Sequence, residues 1–316
     1  MNLFSGHIGN WRDWGGIYQS ISAFAPLVNH ILKIENLPPA MIENLSPGTN
    51  AVFKAGGYVV KIFAPQQSGV DQTPDLLTEL FATRRANTLG VSAPKLIADG
   101  YIDDKYRFAY MVTEYIEGKE FDDAVKTMSR RDLQDLGQKL RRAADTMNTP
   151  CEAFNAIDII GGESRFPVWA NFSDSFNKER IEYKRGHNFG NSVFVHGDLC
   201  SDNILVSRDR NIHIIDFADA VLAPVAYEHA LVAAGLFHLD GDLLRGYFGD
   251  AAADDIAGIC FDGLLIHAFG GDIIKHSVGN PAEFDSIWDL RDELKNIFTK
   301  YAEGKSAQRE NVCIID

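Results

Sequence analysis

The sequence predicts an α+β fold in two parts, a small N-terminal lobe built on an antiparallel sheet and a larger, mostly helical C-terminal lobe. Two observations predict this class. Short β-type runs separated by turn residues occupy much of residues 41–116, and helical spacing of apolar residues is prominent after residue 117. With 316 residues, of which 46% are hydrophobic, the chain is long enough to bury a core in each part. We therefore expect lobes at residues 1–116 and 117–316.

The N-terminal lobe opens with a helical extension. Apolar residues recur at helical spacing over residues 17–35, where Pro26 predicts a kink or a break into two parts. Three short strands follow, MIENL, AVFKA and YVVKIF, which the turns at SPGTN and Gly56-Gly57 arrange as an antiparallel meander. A helix over residues 75–89 and two further strands, KLIADGYI and RFAYMVTEYI, complete this lobe.

The C-terminal lobe begins with helical signals. Ser129 and Asp132 form a possible capping box, and the helix that follows carries one apolar face: Leu133, Leu136, Leu140 and Met147. Three short β-type runs, SVFVH, NILVS and NIHIIDF, lie within this helical region, and a turn at residues 208–211 joins the last two.

Composition excludes several classes of partner. A net charge of −14 repels a nucleic-acid backbone and an anionic membrane surface, so a cationic or neutral ligand fits better. The same negative balance also serves to keep a cytosolic protein soluble. No export signal and no apolar run of about 18 residues is present, which predicts a cytoplasmic protein. The four cysteines are scattered without zinc-ligand spacing, as expected for reduced thiols: Cys151, Cys200, Cys260 and Cys313.

The densest polar signal is the segment HGDLCSDN, residues 196–203, which lies between two apolar strand-like runs. Asp216 follows thirteen residues after Asn203, where a returning hairpin strand would bring it beside that segment. Phosphoryl transfer needs oxygen ligands for metal ions, a carboxylate that accepts the hydroxyl proton, and a cation on the phosphates. Asp198 is the candidate base, and Asn203 and Asp216 are the candidate Mg²⁺ ligands.

Lys61, in the strand YVVKIF, is the candidate phosphate-binding cation. A lysine in an apolar strand is costly to bury unless a carboxylate pairs with it. Glu79, on the following helix, is the natural partner. Asp75, one turn earlier, is a shorter competing partner.

Together these segments resemble a known family. HGDLCSDNILV with IIDF is similar to the catalytic loop and metal-binding segment of aminoglycoside phosphotransferases, choline kinases and related small-molecule kinases. The spacings of five residues from Asp198 to Asn203 and thirteen from Asn203 to Asp216 also resemble those of protein kinases. The resemblance, over about residues 42–248, implies a two-lobed protein-kinase-like fold, ATP or GTP as phosphoryl donor, and Mg²⁺.

The resemblance also implies roles for further residues. Glu114, Tyr115 and Ile116 lie in a segment that resembles the hinge whose backbone binds adenine. A loop over the phosphates is implied although it lacks GxGxxG: Pro47, Gly48, Thr49 and Asn50. His196 is implied to brace the catalytic loop without transferring a proton. Glu228 lies where the family commonly has Asp in a DPxxDL-like segment.

The acceptor implied by the resemblance is a hydroxyl group on a small molecule, such as an aminoglycoside, choline, ethanolamine, homoserine or a sugar. The helices after residue 235 carry acidic residues that suit an amine-bearing acceptor or form a solvated face: Asp240, Asp242, Asp254, Asp255, Asp262 and Asp272. Asp262 and Asp272 are the candidate acceptor ligands because apolar residues flank them. Of the four tryptophans, Trp169 is the one to test for ligand contact.

Departures from protein kinases limit the alternatives. The loop reads His-Gly-Asp in place of His-Arg-Asp, Ala218 stands where DFG has its glycine, and no APE segment follows. A protein kinase is therefore the less favoured enzyme. A pseudokinase-like nucleotide-binding regulatory module is the alternative from another class, and the presence of all four chemical residues argues against it.

Overall fold

A computed structural model describes residues 3–46, 48–162 and 167–302 of the chain. The chain divides into two compact units. One comprises Met1–Glu117 with Asp216–Ala218, and the other comprises Gly118–Ile215 with Asp219–Asp316. The first unit is built on one antiparallel sheet and the second is mostly helical, which confirms the predicted α+β class.

The N-terminal unit has its strands in one sheet. The strands are β1 (Ile42–Asn44), β2 (Ala51–Ala55), β3 (Tyr58–Ile62), β4 (Leu96–Asp103) and β5 (Arg107–Glu114). The helices are α1 (Trp11–Ile17), α2 (Ile21–Ile34) and α3 (Thr73–Leu89). The strand order is β1-β2-β3-β5-β4 with antiparallel neighbours throughout, so the predicted meander and later strand pair are confirmed. Strand β3, which carries Lys61, is the central strand.

The helical extension differs from the prediction at the position of its break. Pro26 lies inside α2, so a break at that residue is wrong and the chain breaks between α1 and α2 instead, whereas a kink at Pro26 stays a prediction. The Ser20 hydroxyl accepts the Ala23 N–H and caps α2, which sets where that helix begins. Pro26 and Ser22 are exposed, so water can satisfy the Ser22 carbonyl that the proline leaves without an N–H donor.

Aromatic side chains attach the extension to the sheet. The Phe24 ring lies 4.9 Å from Phe4, 5.5 Å from Phe53 and 6.1 Å from Phe108, measured between ring centroids. All four rings are fully buried. Because large aromatic rings dominate the burial energy of a small core, α2 is an integral part of this unit.

The C-terminal unit contains short strands among helices. The strands are β6 (Lys119–Glu120), β7 (Ser192–Val195), β8 (Ile204–Val206), β9 (Ile212–Ile214) and β10 (Val221–Pro224). The helices are α4 (Phe121–Val125), α5 (Arg130–Met147), α6 (Asp174–Gly186), α7 (Ala226–Ala230), α8 (Gly241–Phe248), α9 (Ala253–Ile266), α10 (Gly270–Ile273) and α11 (Ile287–Ala302). Strands β6, β8 and β9 form one antiparallel sheet, and β7 pairs with β10. No helix in the described ranges is both long and apolar enough to cross a lipid bilayer.

A helix cap and a hairpin pairing fix the elements beside the candidate site. The capping box before α5 is confirmed, since Ser129 Oγ accepts the Asp132 N–H and Asp132 accepts the Ser129 N–H. In the β8–β9 hairpin, Ile204 pairs with Ile214, and just beyond that pair the Ile215 N–H donates to the Asn203 carbonyl at 2.9 Å. The hairpin therefore holds the backbone of Ile215, the residue before Asp216, against Asn203.

Candidate active site

Lys61 is held by carboxylates inside the N-terminal unit. Its side chain is 11% exposed, and Nζ lies 2.9 Å from Glu79 Oε1 and 3.0 Å from Asp216 Oδ1. Burial lowers the pKa of Lys61, but the charges of Asp216 and Glu79 outweigh burial and raise it above its ordinary value. Lys61 therefore stays protonated. Glu79 is thus in place as the partner that the sequence favours over Asp75.

Asp216 has an unusual backbone. Its φ is 57°, in the left-handed region that residues other than glycine rarely occupy. Its side chain is 45% exposed although Oδ1 accepts a hydrogen bond from Lys61. Strain of this kind is often stored at functional sites, where the backbone must aim a side chain at a ligand.

In the predicted catalytic loop, residues 196–203, the side-chain amide of Asn203 is hydrogen-bonded to Asp198. The Asn203 Nδ2 donates to both the carbonyl oxygen and Oδ2 of Asp198, each at 2.9 Å. Both amide hydrogens are thereby used, so Oδ1 of Asn203 is left as an acceptor. Burial raises the pKa of the neighbouring Cys200 thiol, and Asp198 adds to the rise, so Cys200 remains a thiol.

Glu228 and His196 brace this loop through hydrogen bonds to its backbone. Glu228 Oε2 accepts the N–H groups of His196 and Gly197 at 2.7 and 3.1 Å, and Oε1 accepts from Asn148 Nδ2 at 2.9 Å. Glu228 is fully buried, and burial raises its pKa to about 7 against the opposing effect of these hydrogen bonds. His196 Nδ1 accepts the Asp198 N–H, so the neutral ring carries its proton on Nε2, 3.0 Å from the Ile215 carbonyl.

Gly197, whose N–H donates to Glu228, cannot be replaced by another residue without strain. Its φ is 86°, and a Cβ atom there would lie 2.1 Å from the Asp219 carbonyl oxygen. The loop can therefore turn at this point, and approach the backbone of Asp219, only with glycine.

The predicted nucleotide segments are in the N-terminal unit. The N–H groups of Glu114 and Tyr115 donate to the carbonyls of Lys95 and Gly57, whereas the Ile116 N–H makes no hydrogen bond within the described ranges. Ile116 is thus the amide in the predicted hinge that is available to a nucleobase.

The predicted phosphate loop is anchored from the helical extension. Trp14 Nε1 in α1 donates to the Thr49 carbonyl at 2.9 Å, an interaction that sequence reasoning missed. A Cβ atom added at Gly48 would meet no other atom within 4 Å, and the Asn50 side chain is buried. Pro47 lies outside the described residues.

Asp262 and Asp272, the two acidic candidates for acceptor binding, contact other groups of the protein. Asp262 accepts a hydrogen bond from the Tyr183 hydroxyl at 2.8 Å and lies 3.3 Å from His187 Nε2. The backbone carbonyl oxygen of Asp272 lies 2.7 Å from His276 Nδ1. Neither residue lines the cavity that adjoins Gly197. Their roles as acceptor ligands stay predictions.

A cavity of about 50 Å³ lies beside the catalytic loop within the C-terminal unit. Gly197 forms part of its wall, together with Trp169, Arg180, Lys184 and His267. Sequence reasoning missed Arg180, Lys184 and His267. A detectable signal was the spacing of Arg180 and Lys184, four residues apart on α6 and hence on one helix face.

Mg²⁺ fits the oxygen atoms that this chain offers. No group of three or more His, Cys, Asp or Glu side chains is arranged to hold a metal in the parts of the chain that the structure describes. Mg²⁺ does not need such a group, because it commonly binds through one or two protein oxygen ligands, with water and substrate phosphates completing its shell. The Asn203 Oδ1 and the partly exposed Asp216 carboxylate are oxygen donors of that kind.

Solved structures of antibiotic kinases share the fold of this chain. Aminoglycoside phosphotransferase APH(4)-Ia aligns over 89% of this chain and 99% of its own, at 13% identity and a TM-score of 0.54. Aminoglycoside 2′-phosphotransferase-IIIa, solved with GDP, aligns over 87% and 97% at 16% identity and a TM-score of 0.53. APH(2″)-IIa, solved with streptomycin and ATP, aligns over 89% and 96% at 14% identity and a TM-score of 0.51. These likenesses confirm the predicted protein-kinase-like fold.

The family follows from the sequence match. No curated protein matches the chain. The profile of the phosphotransferase enzyme family, however, matches residues 46–261, a range that includes Lys61, Glu79, Asp198, Asn203 and Asp216. Because that range covers more than half of the chain, the protein belongs to the phosphotransferase enzyme family, as its motifs predict.

Proposed function

We propose that this phosphotransferase is a kinase that transfers the γ-phosphoryl group of ATP or GTP to a hydroxyl group of a small molecule. The observation that carries the proposal is the braced loop on which one amide group, that of Asn203, orients the Asp198 carboxylate. The solved relatives with bound ATP or GDP support a nucleotide donor.

In the proposed reaction the Asp198 carboxylate accepts the proton of the acceptor hydroxyl. The hydroxyl oxygen forms a bond to the γ-phosphorus as the bond from that phosphorus to the β,γ-bridging oxygen breaks. The nucleoside diphosphate leaves with the electrons of the broken bond. The protein contributes positioning and charge neutralisation, which are the main sources of catalysis in phosphoryl transfer.

Three side chains would serve the nucleotide. Bound Mg²⁺ would neutralise the charge of the β- and γ-phosphates. Asn203 Oδ1 and the Asp216 carboxylate would hold that ion, and Lys61 would donate to phosphate oxygens. Glu79 keeps the Lys61 ammonium in position, since its carboxylate lies 2.8 Å away through Oε2.

Replacing Asp216 tests the metal role. The change Asp216→Asn keeps a residue that tolerates the left-handed backbone but removes the charge that binds Mg²⁺. We expect nucleotide affinity at saturating Mg²⁺ to fall by about 10- to 100-fold, equivalent to about 1.4–2.7 kcal/mol. Calorimetric titration of nucleotide over a range of Mg²⁺ concentrations measures it. Asp209→Asn, in the exposed β8–β9 turn, is the matched control. An unchanged Mg²⁺ dependence in the Asp216 variant would contradict its role as ligand.

The activity itself is tested by nucleoside diphosphate release. The assay contains Mg²⁺ with ATP or GTP and one acceptor at a time from aminoglycosides, choline, ethanolamine, homoserine and sugars. Release that depends on one acceptor and disappears in Asp198→Asn supports the kinase. Nucleotide binding without release for any hydroxyl compound, in this panel or a wider one, counts against it and favours a regulatory nucleotide-binding module. Strong labelling of casein would instead indicate a protein kinase.

A further inference from the structure

Two buried nitrogen atoms of residues that line the cavity have no hydrogen-bond partner among the residues that the structure describes. They are Trp169 Nε1 and Arg180 Nε. Trp169 is 7% exposed, so water does not replace the missing partner at its surface. Buried polar groups are nearly always paired in folded proteins, and two unpaired ones beside one cavity indicate a missing ligand.

Both atoms are hydrogen-bond donors, because indole and guanidinium N–H groups can only donate. His267, which also lines the cavity, has partners within the protein. Its Nδ1 accepts the Phe269 N–H at 3.1 Å, and the Gly197 carbonyl accepts from the ring. Burial lowers the pKa of His267 to about 3, which keeps the ring neutral. A partner for Trp169 and Arg180 must therefore supply acceptor oxygens.

Two positively charged side chains beside the cavity, Arg180 and Lys184, also favour a partner with acceptor oxygens. Arg180 Nη1 donates to the Leu265 carbonyl at 3.1 Å, and its guanidinium lies 4.2 Å above the Trp169 ring. Within the described ranges no carboxylate lies within 4 Å of Arg180. Burial lowers the pKa of Arg180 to about 10. Lys184, one turn along α6, adds a second positive charge and donates to the Gly162 carbonyl at 2.8 Å.

Two carboxylates also line the cavity, and neither pairs with Arg180. Asp158 Oδ1 accepts the N–H groups of Ile160 and Gly161 at 3.1 and 2.8 Å and closes a turn. Asp158 raises the pKa of Lys184, but burial and Arg180 outweigh it, so the pKa of Lys184 is lowered. Asp219 has interactions of its own and presents its backbone carbonyl to Gly197.

We propose that the acceptor of this kinase carries an oxyanion, a carboxylate or a phosphate ester, and that this group binds in the cavity against Arg180 and Lys184. The inference rests on the proposed kinase function and names its substrate class. Gly197 lines the cavity and directly precedes Asp198, the proposed base, in the chain. This class differs from the amine-bearing acceptor that the acidic helices suggested.

Matched pairs of acceptors test the substrate class in the diphosphate-release assay. Each pair shares a hydroxylated skeleton and differs in the anionic group: glycerate and glycerol phosphate against glycerol, and gluconate against glucose, with ethanolamine and kanamycin as cationic comparators. We expect kcat/KM to be higher for an anionic member than for its neutral partner by about 10- to 100-fold, as for a hydrogen-bonded charged group. The carboxylate and phosphate arms show which oxyanion binds.

Arg180→Gln and Arg185→Gln form a matched pair of variants on α6. Arg185 is exposed, lies next to Lys184 in sequence and does not line the cavity. For the best anionic acceptor, Arg180→Gln should raise KM by about 10- to 100-fold with a smaller change in kcat. Arg185→Gln should behave like the parent protein. Nucleotide affinity should stay unchanged in both variants.

A binding measurement separates this inference from the kinase proposal. With the nucleotide site saturated by AMP-PNP and Mg²⁺, inorganic phosphate and acetate are titrated while tryptophan fluorescence is followed, because Trp169 stacks on Arg180. Saturable binding that is lost in Arg180→Gln but kept in Arg185→Gln supports the oxyanion site even where no acceptor is turned over. Turnover of kanamycin or ethanolamine with no loss in Arg180→Gln overturns the oxyanion proposal and leaves the kinase intact. Absence of both binding and anionic preference also overturns it.

Discussion

Asp198→Asn should lower kcat by about 10²- to 10⁴-fold, the usual contribution of a general base. Asparagine keeps the shape of the side chain and an oxygen that can accept from Asn203 Nδ2, so the loop should stay in place. It cannot take up a proton from the acceptor hydroxyl. Nucleotide affinity and the free energy of unfolding should therefore change little. Single-turnover kinetics with the acceptor found in the release assay measures the loss.

Asp202→Asn is the matched control for that experiment. Asp202 lies in the same loop, on the short turn Ser201–Asn203, and is exposed. The same chemical change at this position should leave kcat close to that of the parent protein. Full activity in Asp198→Asn, or equal losses in both variants, would contradict the assignment of Asp198 as base.

Glu228→Leu should lower the free energy of unfolding by about 2–6 kcal/mol, because two buried N–H groups lose their acceptor at a cost of about 1–3 kcal/mol each. The substitution leaves the N–H groups of His196 and Gly197 without their acceptor, and the Asn148 amide keeps only the Phe194 carbonyl. Urea unfolding measures the change. Catalytic activity should fall as well, since the loop that carries Asp198 loses its support. A loss below about 1 kcal/mol would show that the brace is unimportant.

Glu228→Gln separates the charge from the hydrogen bonds. The folded-state pKa of Glu228, about 7, is above its ordinary value of 4.5. Stability from this group is thus fully present below pH 4.5 and is lost as the pH rises through about 7, by up to about 3 kcal/mol. Glutamine does not titrate, so the variant should lose less stability than the parent between pH 5 and about pH 8. Urea unfolding at both pH values measures the difference, and identical pH slopes would contradict the raised pKa.

Local sequence patterns were enough to predict the sheet and the reaction class. The strands around Lys61 alternate with clear turn residues, and the capping box at Ser129 depends on residues three apart. The catalytic segment is equally local, because Asp198 and Asn203 must lie within one short loop for one amide to bridge them. Such features depend on neighbours in the chain, so the sequence displays them directly.

Features that depend on distant residues were missed or misplaced. Pro26 predicted a kink or a break, but α2 continues through it because the exposed Ser22 carbonyl can bind water. Trp14 anchors the predicted phosphate loop from 35 residues away. Trp169, Arg180 and His267, which line the cavity, come from the segment before α6, from α6 itself and from the end of α9. No periodicity or motif relates those three segments.

The sequence by itself determined the α+β class and the order of the elements, and it predicted candidate residues for phosphoryl transfer, because these features depend on residues that are close together in the chain. Tertiary structure alone decided that Glu228 and Asn148 brace the catalytic loop and that Arg180 and Lys184 face the cavity beside it. The physical reason is burial. Whether a carboxylate becomes a brace or an arginine becomes an anion site depends on which groups fold around it and exclude water, and that is settled only when distant segments pack together.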